Sequence, residues 1–498
     1  MNLRNISRFL GAILLVIGAA MGLCLLVDFA SIQWGSGEND LKGNLWSMMI
    51  TVTFGVILYA IGHRTRGEPL LRKEAVAVTS LSWLTAATFG SLPYIFSQNR
   101  FPPIQAFFES MSGFTTTGST IIPALGELSP SLMFWRSLTS WVGGLGILAL
   151  LVALMAALGT NSKSLLGSES SLNLRESPTA RVRALASRLW VAYSVLTLVC
   201  VSGLFLVGKA TGEEEMGLFN ALLYTMTTVS TGGFAPHDAS VGHFDNPWIE
   251  AYLIVFMMIS SFSLFVVINT LAFQTRLTAG RAESIALVVL VVVASAAVTG
   301  NLVHATDLSV GEAIREAVFP VVSTSTSTGY GTSDYDQWPL FSQWVILIVM
   351  LVGGCSGSTS GGLKVIRLLI LSKVVYHEVV RSFRPNVVPT YKIAGQPIDQ
   401  GTRLAVMAFL VLAAVIILIS SLILSLVDPA LHDFQSTIGA VIGTFMNIGP
   451  GLGDVGPTDN FAGLNDFSLL YTAGLMLLGR LEIFAVLALF TGSLWRRY

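Results

Sequence analysis

Thr116-Thr117-Gly118-Ser119, Ser230-Thr231-Gly232-Gly233, Ser327-Thr328-Gly329-Tyr330-Gly331 and Asn447-Ile448-Gly449-Pro450-Gly451 are four short glycine-centred stretches, each set between two long apolar segments. Gly118, Gly232, Gly329 and Gly449 are separated by 114, 97 and 120 residues, so the chain reads as one unit used four times. One Thr-Thr-Gly or Ser-Thr-Gly is an ordinary turn. Four copies at matched places predict four loops lining one pore with backbone carbonyls, the arrangement that replaces the hydration shell of an alkali cation. Aiming successive carbonyls at one axis needs a backbone bend that glycine tolerates, and the hydroxyl residues before it can add further oxygens.

Working outward from these loops, composition sets the class. Hydrophobic residues make up 53% of the chain and charged residues 11%, against about a quarter charged in soluble domains. This is the composition of a polytopic, all-α membrane protein. Ten apolar stretches are predicted to span, at 9–27, 47–63, 76–96, 134–159, 189–208, 249–272, 284–303, 341–355, 403–427 and 468–491. The first is too long for the apolar core of a secretory signal and reads as a retained helix. Between spans 3 and 4, 5 and 6, 7 and 8, and 9 and 10, a shorter stretch such as Phe107 to Phe114 or Phe434 to Met446 leads into a glycine motif. Each reads as a re-entrant half-helix whose negative dipole end faces the pore. The expected organisation is two extra N-terminal helices over 1–70, then pore repeats over 71–184, 185–279, 280–399 (with an intramembrane loop at 353–362) and 400–498.

With the N-terminus inside, 22 of the 28 Lys and Arg residues fall on the cytoplasmic side and 21 of the 29 acidic residues on the outer side. That asymmetry places both termini in the cytoplasm and all four glycine loops outward. An acidic outer vestibule would concentrate cations, although any one carboxylate, including those of Glu213-Glu214-Glu215, can equally be a solvated loop residue. Cys24, Cys200 and Cys355 lie in apolar runs and read as packing residues. No basic patch outside the membrane-flanking loops suggests nucleic acid. His63, His237, His243, His304, His377 and His432 are scattered and predict no metal or catalytic cluster, so neither an enzyme nor a resident cofactor is expected.

Two further features stand out. Arg480 lies deep in the last span, where a charge is costly and faces a cavity or a partner. It reads either as one half of a structural ion pair or as a positive charge projecting into the pore below the loops. The run Gly353-Gly354-Cys355-Ser356-Gly357-Ser358-Thr359-Ser360-Gly361-Gly362 interrupts the eighth span and fails the spacing of a phosphate-binding loop. It reads either as a passive kink or as a sparsely packed, movable constriction.

In these features the chain resembles the Trk/Ktr/HKT superfamily of potassium transporters, and within it the bacterial Trk-type membrane subunit, over essentially its whole length. The third loop also differs by two residues from the T-V-G-Y-G filter of potassium channels. The resemblance implies a K⁺ filter built from Thr116, Thr117, Gly118, Ser230, Thr231, Gly232, Ser327, Thr328, Gly329, Asn447, Ile448 and Gly449, the fourth loop departing most from the Thr/Ser pattern. It also implies gating by the loop carrying Gly353, Gly354, Gly357, Gly361 and Gly362 together with Arg480. Further implications are a homodimer in the bacterial inner membrane and a ring of cytosolic nucleotide-binding subunits (TrkA-like) docked on the basic inner loops. K⁺ uptake is the expected function. A cation-coupled secondary symporter with broken helices is the alternative, against which four parallel outward loops argue.

Overall fold

Unbroken apolar sequence produces two long helices at the N-terminus, α1 (Leu3–Gln33) and α2 (Leu41–Ile61). They approach through small residues: Gly11 lies against the backbone of Gly55 and Tyr59, and Gly18 against Val52. In lipid, where no hydrophobic force drives helices together, such close backbone approach supplies the packing. At the outer end Asn44 Nδ2 donates to Asp28 Oδ2 at 2.7 Å and to Ser131 Oγ at 3.1 Å, which ties the pair to the first repeat. The computed structural model from which these contacts come describes residues 2–33, 39–63, 72–158, 178–271, 279–387 and 390–495.

Four related units follow. The first holds α3 (Arg72–Gly90), α4 (Leu92–Phe96), the half-helix α5 (Pro103–Phe114) and α6 (Pro130–Leu158). The second holds α7 (Pro178–Thr211), half-helix α8 (Leu218–Val229), α9 (Pro247–Ser261) and α10 (Leu264–Leu271). The third holds α11 (Ala279–Ala305), half-helix α12 (Val310–Ser325), α13 (Leu340–Val352) and α14 (Val365–Phe383). The fourth holds α15 (Gln400–Val427), half-helix α16 (Phe434–Phe445), α17 (Asp466–Arg480), α18 (Phe484–Leu489) and the terminal turn α19 (Gly492–Trp495). A two-residue hairpin, β1 (Lys392–Ile393) and β2 (Gln396–Pro397), joins the third unit to the fourth. The half-helices have 12, 12, 16 and 12 residues, roughly 18–24 Å at 1.5 Å per residue. They are too short for a hydrocarbon core of about 30 Å. Polar caps start two of them: Ser309 and Glu312 form a capping box on α12, and Asp433 accepts from Ser436 N at 2.6 Å on α16.

The units close into a ring. The helix after each half-helix packs on the half-helix of the next unit: α6 on α8, α9 on α12, α13 on α16, and α17 back on α5. Two arginines clamp this ring from outside. Arg136 on α6 pairs with Glu109 on α5 at 2.8 Å, both almost fully buried, and its Nη1 donates to Ala235 O of the second loop at 3.2 Å. Arg315 on α12 reaches Glu250 on α9 at 2.6 Å.

Of the ten spans expected from hydropathy, the eighth breaks where the Gly/Ser run predicts, and the sixth and tenth, expected to be continuous, break as well. Among the described residues six helices are long and apolar enough to cross a membrane, seven if the bent α9–α10 pair counts as one. That pair turns by 105°. α13 ends after 13 residues, and α17 ends at Arg480 before Glu482 and Ile483 take positive φ of 58° and 57°. Units two, three and four therefore break the helix that follows the pore loop, whereas α6 runs on for 29 residues. Hydropathy registers the apolar side chains on both sides of a break and is blind to the backbone turn between them. The three cysteines are buried and free.

Arg136→Met or Glu109→Gln alone leaves a buried charge or a buried polar group without its partner, and should cost roughly 3–5 kcal/mol for the uncompensated charge. The double variant should recover much of this. Thermal unfolding in detergent of the three variants tests the coupling; equal melting temperatures for single and double variants would remove the clamp from the account.

Candidate functional site

Each half-helix runs at its C-terminal end into its glycine loop, and the turn is the same four times. Thr116, Thr231, Ser327 and Asn447 have φ of 52°, 53°, 52° and 55°, and two residues later Gly118, Gly233, Gly329 and Gly449 have φ of 88°, 69°, 85° and 108°. The residue between them, Thr117, Gly232, Thr328 or Ile448, donates its N–H to the carbonyl five residues back, at 2.8, 2.7, 2.9 and 2.9 Å. This pattern corrects the register of the second loop. Gly233, not Gly232, occupies the position of Gly118, Gly329 and Gly449, and Gly232 replaces the side-chain-bearing Thr117, Thr328 and Ile448. Thr231 accordingly corresponds to Thr116 and Ser230 to Thr115. The adjacent glycines made the two registers indistinguishable in sequence.

The four loops meet head to tail. A Cβ on Gly118 would strike Gly232 O; on Gly233, Thr328 O; on Gly329, Ile448 O; and on Gly449, Thr117 O. The carbonyls of Thr117, Gly232, Thr328 and Ile448 thus form one closed ring, each wedged against the glycine of a neighbouring unit. The negative dipole ends of α5, α8, α12 and α16 converge beneath it.

Most side-chain hydroxyls of the loops hold the loops in place. Thr117 Oγ1 lies 2.7 Å from Thr115 Oγ1, and Thr328 Oγ1 2.8 Å from Thr326 Oγ1. Thr231 Oγ1 donates to Ser230 O at 2.7 Å. Asn447, in the loop that departs most from the pattern, donates to Thr117 Oγ1 and to Met476 O, both at 2.9 Å. Tyr330 joins the third loop to the second half-helix, its hydroxyl 2.6 Å from Thr227 Oγ1 and 2.8 Å from Tyr224 O. Thr116 Oγ1 and Asn447 Oδ1 are buried with no hydrogen-bond partner among the described residues.

Outside the ring lies a cavity of about 80 Å³ lined by residues of all four loops, among them Gly118, Gly233, Gly329 and Gly449. Asp238 and Asp459 are the acidic residues lining it. Other outer carboxylates are used structurally: Glu109 and Glu250 in ion pairs, Asp433 as a cap, Asp28 and Asp428 as acceptors for neighbouring backbone or amide groups. Gln435 donates to Asp336 Oδ1 at 2.9 Å, and a Cβ on the cavity residue Gly456 would strike Asp336 Oδ2, so Asp336 backs the cavity wall. Burial pushes its carboxyl up to about 6.

On the other side of the ring, the 353–364 segment crosses under the half-helix ends. Its two ends meet, Leu363 N donating to Leu351 O and Lys364 N to Val352 O. Gly353, Gly357 and Gly362 have φ of 72°, 78° and 78°, while Gly354 and Gly361 press on Ser360 and on Met446 O. Thr359 Oγ1 donates to Val229 O at 3.1 Å, Ser360 Oγ to Thr326 O at 2.7 Å, and Gly362 N to Met446 O at 2.9 Å. The segment is thereby bonded to the ends of α8, α12 and α16 together. The α9–α10 break receives it from the side: Cys355 N donates to Ser261 O at 2.9 Å and Leu264 N to Gly357 O at 3.3 Å. Glu283, buried on α11 and not singled out from sequence, accepts from Ser356 N at 2.8 Å and Ile366 N at 2.9 Å. The loop lacks large side chains, yet specific hydrogen bonds hold it.

Arg480 reaches this segment and donates from Nη1 to Thr359 O at 2.6 Å. Its Nε and Nη2 are buried with no hydrogen-bond partner among the described residues. Glu482 pairs instead with Arg367 at 2.7 Å, so the Arg480–Glu482 ion pair is not formed.

A family profile described as "TrkH: Cation transport protein" matches residues 44–497. The chain is 32% identical to the Trk system potassium uptake protein TrkH of Salmonella typhimurium over 503 residues, covering all of both chains. It is 29% identical to the Trk system potassium uptake protein TrkG of Escherichia coli K12, over 89% of this chain and 91% of that one. The crystal structure of the potassium transporter TrkH from Vibrio parahaemolyticus superposes with a TM-score of 0.86 at 30% identity, with full coverage of both chains. With half-helices, loops and ring in the places described, the chain belongs to the TrkH family of cation transport proteins.

Proposed function

We propose that this protein takes up K⁺ across a bacterial inner membrane through a single central pore, with the four-loop carbonyl ring as its selectivity filter. The observation that carries this reading is the head-to-tail closure of Thr117, Gly232, Thr328 and Ile448 against the glycines of neighbouring loops. Neutral carbonyl dipoles replace water around a monovalent cation and still let it leave. The half-helix ends favour a cation in the cavity below. The potassium uptake proteins to which the chain is similar support K⁺ as the cargo.

In this reading the 353–364 loop is the gate. It bonds to three half-helix ends, so lifting it means breaking those bonds together. Arg480 is an electrostatic barrier beside it: a unit charge at 4 Å in an effective dielectric of 20 repels another by about 4 kcal/mol. Broken helices can also serve a cation-coupled symporter, but the outward ring of four parallel loops favours a channel-like path. Both termini are cytoplasmic, the protein works as a homodimer, and the basic inner loops, with Arg381, Arg384 and Lys392 among them, dock a cytosolic ring of nucleotide-binding regulatory subunits.

Uptake of ⁸⁶Rb⁺ into proteoliposomes, competed by K⁺ but poorly by Na⁺, is the direct test; equal competition by the two ions would overturn the filter reading. The corrected register makes a sharper prediction. Gly233→Ala places a Cβ against a backbone carbonyl at positive φ and should abolish K⁺/Na⁺ discrimination, whereas Gly232→Ala meets the small side chains of Ser140 and Ser230 rather than a backbone carbonyl and should keep most of it.

Arg480→Ala should raise K⁺ flux at unchanged selectivity. Thr359→Val removes the hydroxyl bonded to Val229 O, a bond worth about 1 kcal/mol, and should raise basal flux about fivefold. Slower flux together with a lower melting temperature in either variant would mark these residues as structural only.

A further inference from the structure

Two histidines that look unrelated in sequence stack on each other at the outer face. The rings of His237 and His243 lie 4.0 Å apart between centroids and are parallel to within 4°. Phe244 sits edge-on to both, at 5.3 Å from each, and holds them as a pair. Glu215, on the turn between α7 and α8, completes the group. Its Oε2 lies 2.5 Å from His243 Nε2 and 4.0 Å from His237 Nε2. One carboxylate oxygen from the turn before α8 and two imidazole nitrogens from the turn after it all lie within 4.8 Å of one another.

The tautomer of His237 is set from behind. The Tyr224 hydroxyl donates its one proton to Ser240 O at 2.9 Å. His237 Nδ1, 3.1 Å from that same hydroxyl, is therefore the donor of the pair. This leaves the Nε2 lone pair directed at the Glu215 side. Such a hydrogen bond to the remote ring nitrogen is what fixes and strengthens metal-binding histidines. Tyr224 is itself anchored, its carbonyl accepting from Tyr330 Oη at 2.8 Å.

We propose that Glu215, His237 and His243 form a binding site for a divalent cation of the zinc class, on the outer face beside the pore mouth. Two imidazoles and one carboxylate are a three-ligand set that zinc uses with a fourth position left to water. Ligand bonds of about 2.0–2.2 Å bring neighbouring donor atoms to roughly 3.3 Å, so the 4.0 Å contact of Glu215 with His237 has to close while its 2.5 Å contact with His243 opens. The exposed Glu215 and half-exposed His243 side chains can rotate to do so, while the more buried His237 stays fixed. Hard cations such as Mg²⁺ and Ca²⁺ prefer all-oxygen sites and are expected to compete poorly. The site is separate from the carbonyl ring, and the proposal does not depend on K⁺ being the cargo. His237 also lines the outer cavity, so a bound dication would stand at its rim.

Zn²⁺ titration of the full-length protein in detergent, followed by calorimetry, and the visible spectrum of the Co²⁺-loaded protein test this. One tight site per chain with a tetrahedral Co²⁺ spectrum is expected, undisturbed by millimolar Mg²⁺. His243→Ala and Glu215→Gln should each weaken Zn²⁺ binding by at least about tenfold, and Tyr224→Phe by about 10–100-fold through the ring it orients. His432→Ala, at the separate His432–Asp454 contact, should change nothing. Absence of saturable Zn²⁺ binding, or binding kept in the His237→Ala/His243→Ala double variant with an unaltered melting temperature, would overturn the site.

Discussion

Within a bilayer every backbone N–H and C=O has to find a protein partner or a wet cavity, and this chain places four extended loops and three helix breaks at membrane depth. The architecture follows from how those groups satisfy one another. The loop amides turn back onto their own half-helices. The break between α9 and α10 receives the amide of Cys355, and the 353–364 segment is bonded to the ends of three half-helices. No unit can complete this alone. Each glycine of the ring is shaped by a carbonyl of another unit, so the geometry exists only once α17 has packed back on α5 and the circle is closed.

The charges divide by the same logic. Arg136 and Glu109 are both buried, but each satisfies the other and the guanidinium also holds the second loop, so the pair acts as a fastener. Arg480 is equally buried and, among the described residues, has one carbonyl partner, with Nε and Nη2 unbonded. A charge left so sparsely satisfied in a membrane is costly, and its position against Thr359 couples that cost to the loop under the ring. Glu283 does the reverse. It spends its carboxylate on two amides on either side of the same loop, which resists displacement.

The outer face shows a third use of polar groups. Many outer carboxylates are engaged in caps, clamps and turn networks; of the two on the cavity wall, Asp238 and Asp459, Asp238 also accepts from Leu125 N. Glu215 is spent on the stacked histidines. Ion pairing with Arg136 and Arg315 neutralises Glu109 and Glu250, so these two add little to the field at the pore mouth.

What the sequence determined by itself is what local composition and period encode: the membrane class, the fourfold use of one unit, the half-helices too short to cross, and the Gly/Ser break. These depend on neighbours within one helix or loop. The tertiary structure alone decided the features that join residues about a hundred positions apart or turn the backbone without changing hydropathy. Gly233 rather than Gly232 bends because Thr328 O of the third unit lies against it. Arg480 meets Thr359 and not Glu482, which faces Arg367 beyond the end of α17. His237 and His243 meet Glu215 because the turn that carries them folds back over α8. For Gly233 and Arg480 two assignments were equally compatible with the local sequence, and ring closure, which brings distant carbonyls and side chains within bonding distance, selected one.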